Sequence, residues 1–108
     1  MTRSEYLLDL RACIANNVRF YRHSRGWTQE QMADELGVSE NYVYRIENPN
    51  STHCTPSLAV LARIAYNLHV PVFTLLVPRE AQPKLRGKAA ASFLHRNRLI
   101  SEALNHES

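Results

Sequence analysis

No apolar run in this chain approaches the roughly 20 residues needed to cross a bilayer. Its first residues lack a basic stretch followed by an apolar one, so insertion and secretion are both disfavoured and residence in the cytoplasm is expected. Cysteine is scarce. Cys13 and Cys54 form no CxxC, and His53-Cys54 has no second ligand pair nearby, so a zinc spacing is missing and no metal is expected. No nucleophile stands beside a base, no paired carboxylates mark a cleft and no phosphate loop is present; an enzyme is disfavoured and no cofactor is called for. Net charge is missing too from most of the chain. Through Val77, seven arginines balance seven carboxylates, and the whole excess of +3 follows Pro78. A length of 108 residues leaves room for one small core and an appendage, but not for a separate ligand-binding domain of ordinary size.

What is present is a nearly continuous pattern from Gly26 to Val70. Thr28 can cap a helix, with Gln31 three residues on completing a capping box. That helix stops at Leu36-Gly37, where glycine can take the left-handed conformation, and Ser39 caps the next helix two residues later. Met32, Ala33 and Leu36 share one face of the first helix, while Val43 and Ile46 share one face of the second. Two short helices crossing steeply at a glycine turn, the second polar on its outer side, have the geometry that places a helix in the major groove of DNA.

The face opposite Val43 and Ile46 carries Glu40, Asn41, Tyr44 and Arg45, one contiguous patch. Its chemistry suits base edges. Asn can pair bidentately with adenine, Arg with guanine, and Glu can accept from the cytosine amino group; Tyr offers a ring to a thymine methyl or a hydroxyl to phosphate.

Val18, Tyr21-Arg22, Trp27-Thr28-Gln29-Glu30-Gln31-Met32-Ala33, Gly37-Val38-Ser39, Ile46-Glu47, Pro56-Ser57-Leu58, Leu61, Ile64-Ala65 and Leu68-His69-Val70 together resemble one family. Residues 14–77 are similar to the lambda-repressor-like, or Cro/C1/XRE-type, helix-turn-helix transcriptional regulators. The resemblance implies a phosphate contact for Gln29 and the adjacent N–H groups at the start of its helix, with Thr28 beside it. Ser39 and Tyr42, at the opening of the next helix, join the phosphate set. It also implies that Arg22 pairs with Glu47. From the residues alone both sit at the edge of an apolar stripe, where an ion pair would fix the angle between helices more than raise stability.

Around this motif a long first helix is expected from about Ser4 to Ser24, carried by Leu7, Leu10, Ile14, Val18 and Tyr21. Residues before Arg11 exceed what the family domain requires. The segment from Asn48 to Thr55 is longer than the short basic connection common in the family and holds no Lys or Arg. Asn50 and Ser51, with Thr52 and His53, are its neutral candidates for phosphate. Thr55-Pro56 is expected to open a fourth helix whose buried stripe is Leu58, Leu61, Ala65 and Leu68. His69 stands where glycine is frequent and is expected in a left-handed conformation.

A fifth short helix, Pro71 to Leu76, offers Val72, Phe73 and Leu76 as a dimerisation surface or as closure of the core. After a linker at 79–84, residues 85–108 repeat Leu85, Ala89, Phe93, Ile100 and Leu104 at helical spacing with basic residues between. Phe93, Ile100 and Leu104 are the expected subunit contacts of this tail.

The expected protein is therefore all-α: a five-helix domain over residues 1–78 and a C-terminal amphipathic helix. It would act on double-stranded DNA as a homodimeric regulator of a palindromic operator. The competing expectation is an antitoxin that covers a protein partner with its C-terminal helix and represses its own operon.

Overall fold

In a computed structural model the chain is described at residues 1–51 and 54–82. Five helices follow in order: α1 (Arg3–Ser24), α2 (Gln29–Leu36), α3 (Glu40–Ile46), α4 (Leu58–Leu68) and α5 (Val72–Leu76). A 3₁₀ turn spans Arg79–Ala81. The described residues contain no strand.

Local chemistry starts and stops these helices. The Thr2 hydroxyl accepts from the Glu5 N–H at 3.1 Å while the Glu5 carboxylate accepts from the Thr2 N–H, a capping box that begins α1 about three turns before its core residue Ile14. Thr28 and Gln31 form the same box on α2. Gly37 ends α2 at φ 69°, ψ 34°. A Cβ there would meet nothing within 4 Å, so backbone conformation rather than space is what requires glycine. The Ser39 hydroxyl then accepts from the Tyr42 N–H at 3.1 Å and α3 begins.

Ile14 and Val18 of α1, Met32, Ala33 and Leu36 of α2, Val43 and Ile46 of α3, Ile64, Ala65 and Leu68 of α4 and Leu75 of α5 form one core. Cys54 joins it, whereas Cys13 is half-buried beside Asn17 and burial pushes its thiol pKa up, away from nucleophilic use.

The fourth helix departs from expectation at its start. Ser57, not Thr55, is the cap: its hydroxyl accepts from the Val60 N–H at 3.2 Å. Pro56 therefore lies outside the helix and is buried. Leu58 becomes the first helical residue and is 75% exposed, because it stands a full turn before Leu61, past the end of the core; Ile64 fills the stripe instead.

At the far end His69 does adopt φ 56°, ψ 44°. A left-handed L-residue carries strain that glycine lacks. His69→Gly is expected to raise stability by about 0.5–1 kcal/mol, read as a higher urea midpoint. A lower midpoint would mean that the imidazole makes a contribution outweighing the backbone strain.

Of the linker expected at 79–84, the described residues 79–82 pack on the body. Gln82 is tied into the body, its amide donating to the Thr74 and Val77 carbonyls at 2.8 and 3.0 Å and its carbonyl accepting from the Tyr21 hydroxyl at 2.7 Å. Arg79 lies over the Phe20 ring, 3.6 Å from its centroid. Asn17, fully buried, donates from the same α1 face to the carbonyls of Thr74, Leu75 and Val77. These bonds satisfy the C-terminal carbonyls of α5, which is too short to hold itself. The tail residues Phe93, Ile100 and Leu104, and residues 52–53 of the loop, lie outside the described residues.

Candidate nucleic-acid interface

α3 is seven residues long and buries Val43 and Ile46 against α2 and α1. The helical period then turns Glu40, Asn41, Tyr44 and Arg45 outward, and all four are exposed, Tyr44 to 55%. They form one patch. Tyr42 is set apart from it: its ring packs on the core, and burial raises its phenol pKa. Its neighbour Arg45 lies 5.9 Å from the ring centroid.

Behind the patch stands a buried ion pair. Arg22 approaches Glu47 with Nε 2.6 Å from Oε2 and Nη2 2.9 Å from Oε1, while its Nη1 donates to the Trp27 carbonyl at 2.7 Å. Glu47 is 1% exposed and also accepts from the Gln29 amide at 3.1 Å. The start of α2 is thus joined to the end of α3 through one carboxylate. One Gln29 N–H is used in this bond, leaving a second donor on the same amide.

Thr28 and Ser39 accept backbone N–H groups, yet each hydroxyl retains its own proton to donate. After α3 the chain makes an Asx turn, with the Asn50 N–H donating to the Asn48 side chain at 3.0 Å. Asn50 is exposed and Ser51 half-buried. A polar cleft of about 170 Å³ lies between α1 and α3, lined by Arg19, Gln29, Tyr44, Glu47 and Asn48.

Three arginines that look like surface charge in the sequence are spent on helix ends. Arg11 Nε, Nη1 and Nη2 donate to the carbonyls of Cys54, Ile46 and Arg45 at 2.6, 2.8 and 2.7 Å. It is 3% exposed, and burial lowers its pKa, with the Cys54 side chain opposing the shift. Arg19 donates to the Glu47 carbonyl at 2.6 Å and Arg63 to the Leu36 carbonyl at 3.0 Å. A cation at a helix C-terminus satisfies orphan carbonyls and opposes the negative end of the helix dipole. These contacts were invisible to sequence reading, since the acceptors are backbone atoms of distant residues. Val72 and Leu76 of the expected dimer surface pack half-buried on the core, and Phe73 is half-buried beside them.

A short capped helix displayed on a second, with its rear locked to the body, defines a helix-turn-helix DNA-binding module. Residues 14–72 match the family model described as a helix-turn-helix domain. The chain belongs to that family, among Cro/C1-type regulators, and is a DNA-binding regulator rather than an enzyme.

A Neisseria hypothetical transcription factor from Neisseria meningitidis is 33% identical over 82 residues, covering 76% of this chain and 74% of that protein. The competence pilus inhibition repressor of Acinetobacter baylyi is 38% identical over 63 residues, 58% of this chain and 56% of that one. The control protein C.SmaI of Serratia marcescens is 33% identical over 64 residues, with 59% and 75% coverage. The crystal structure of the hypothetical transcription factor NHTF from Neisseria superposes with a TM-score of 0.60 at 32% identity, covering 66% of this chain and 78% of that one. Among the described residues no helix is long and apolar enough to cross a membrane.

Proposed function

We propose that this protein represses transcription in the cytoplasm as a homodimer on a two-fold operator. The observation that carries the reading is the outward face of α3, where Glu40, Asn41, Tyr44 and Arg45 stand exposed on a helix whose C-terminal carbonyls are held from behind by Arg11. Asn41 and Arg45 read adenine and guanine edges, Glu40 and Tyr44 flank them, and the phosphates are met by Thr28, Gln29, Ser39, Tyr42, Asn50 and Ser51. Two copies joined through Val72, Phe73, Leu76 and the tail would present two α3 helices about 34 Å apart, one turn of DNA. That an Acinetobacter relative is named a repressor supports the sign of regulation.

Selection of bound sequences from a random DNA pool tests the reading and is expected to return a palindrome. In the same assay Arg45→Ala and Asn41→Ala should each cost about 1–3 kcal/mol on the best site and much less on random DNA. Equal losses on both would remove these side chains from base readout.

A further inference from the structure

We propose that Arg11 is a positioning residue for base readout, setting the end of the recognition helix and the return of the long loop with one guanidinium. The inference rests on the reading of α3 given above. Arg11 lies outside the segment matching the family model, 14–72, yet it is among the most buried polar side chains of the described residues.

Each of its three nitrogens donates to a different carbonyl. Two belong to the last turn of α3, Arg45 and Ile46, and the third to Cys54, across the loop. The backbone of Arg45 is therefore held directly, and with it the base from which the Arg45 side chain reaches. A seven-residue helix has too few internal bonds to keep its last turn from fraying. Base recognition needs side chains held within about 0.5 Å, a tolerance that a frayed last turn does not meet.

The residues ahead of Arg11 gain a purpose from this. The Thr2–Glu5 capping box starts α1 eight residues earlier, so the guanidinium rises from a formed helix instead of a frayed first turn. Lysine cannot substitute. Its single ammonium has no planar fork to span a helix end and a loop at once.

The test uses the full chain with Arg11→Lys and Arg11→Met, and Arg45→Ala as a reference, in selection from random DNA with circular dichroism to confirm folding. Arg11→Lys is expected to stay folded and to lose about 10-fold on the parent consensus, with random-DNA affinity unchanged within about twofold. The flattened positions should be those that Arg45→Ala flattens, and the salt slope should not change, since no phosphate contact is removed. Arg11→Met should deepen the same pattern. Should Arg11→Met fail to fold, Arg11→Lys decides alone.

An unaltered consensus, or a uniform loss on specific and random DNA, overturns the proposal, as does unfolding of both variants. If Arg45→Ala itself leaves the consensus intact, the reading of α3 has failed. If Arg45→Ala alters it and Arg11→Lys does not, the positioning role has failed alone.

Discussion

Glu47→Ala is expected to destabilise the domain by about 3–5 kcal/mol, because it leaves the Arg22 guanidinium buried with no counter-charge. The geometry makes the loss severe. Arg22 makes two buried charge-assisted bonds to that carboxylate and the half-buried Gln29 a third, so a small alanine strands the two guanidinium donors. About 80 described residues support a total stability of only about 4–12 kcal/mol, so the variant should be near its unfolding threshold at 25 °C. Urea unfolding followed by circular dichroism measures the shift.

A double replacement, Arg22→Met with Glu47→Leu, should recover most of the stability, since the attraction within a buried pair only roughly offsets the cost of desolvating it. It should not recover DNA affinity. The carboxylate also ties Gln29 at the head of α2 to the end of α3, and apolar side chains cannot hold that angle by directed bonds. A single variant that loses less than about 1 kcal/mol would show that water or a neighbour rescues Arg22, and the account of this pair would fall.

Removal of residues 83–108 is the second large perturbation. The cut follows Gln82, because every described contact of the body lies before it and Gln82 itself bonds to Tyr21, Thr74 and Val77. A cut after Pro78 would strip those bonds and cost a further ~1–3 kcal/mol, confusing loss of fold with loss of tail. With the cut after Gln82, the protein should stay folded and shift toward monomer by analytical ultracentrifugation.

Affinity for a two-fold operator should then fall by about 10²–10⁴-fold as the second α3 loses its tether, while the base preference of a half-site persists. A dimer that survives with a shallower salt dependence, by about 0.9 in log–log slope per lost phosphate contact, would make the tail an arm along DNA. An unchanged oligomeric state and unchanged binding would defeat both and direct the search to a protein partner for residues 83–108.

Much of the central helix pair and the exposed face of α3 was legible from sequence because its causes are local. Thr28 with Gln31, Gly37, and Ser39 act on backbone groups within four residues, so residue type and spacing suffice. The outward set on α3 follows from helical period once Val43 and Ile46 are taken as buried. The Arg22–Glu47 pair came from the family resemblance and is present at 2.6 Å. Similar local reasoning placed a cap at Thr55 where Ser57 serves, since both are hydroxyl residues beside Pro56 and only packing of α4 chooses between them.

The sequence by itself determined where the central helices start and stop and which side of α3 faces outward. Tertiary structure alone decided which arginines end on backbone carbonyls, and that Arg11 is buried while Arg19 and Arg63 stay exposed. Arg11, Arg19 and Arg63 resemble Arg45 in sequence, yet they end on carbonyls 27 to 43 residues away. A carbonyl oxygen has no identity in the sequence, so its demand for a donor becomes visible only when the chain brings a helix end beside α1 or α4. Asn17 and Gln82 obey the same logic around α5. The helices were written in local codes, and the bonds that orient them toward DNA were written in contacts between residues far apart in the chain.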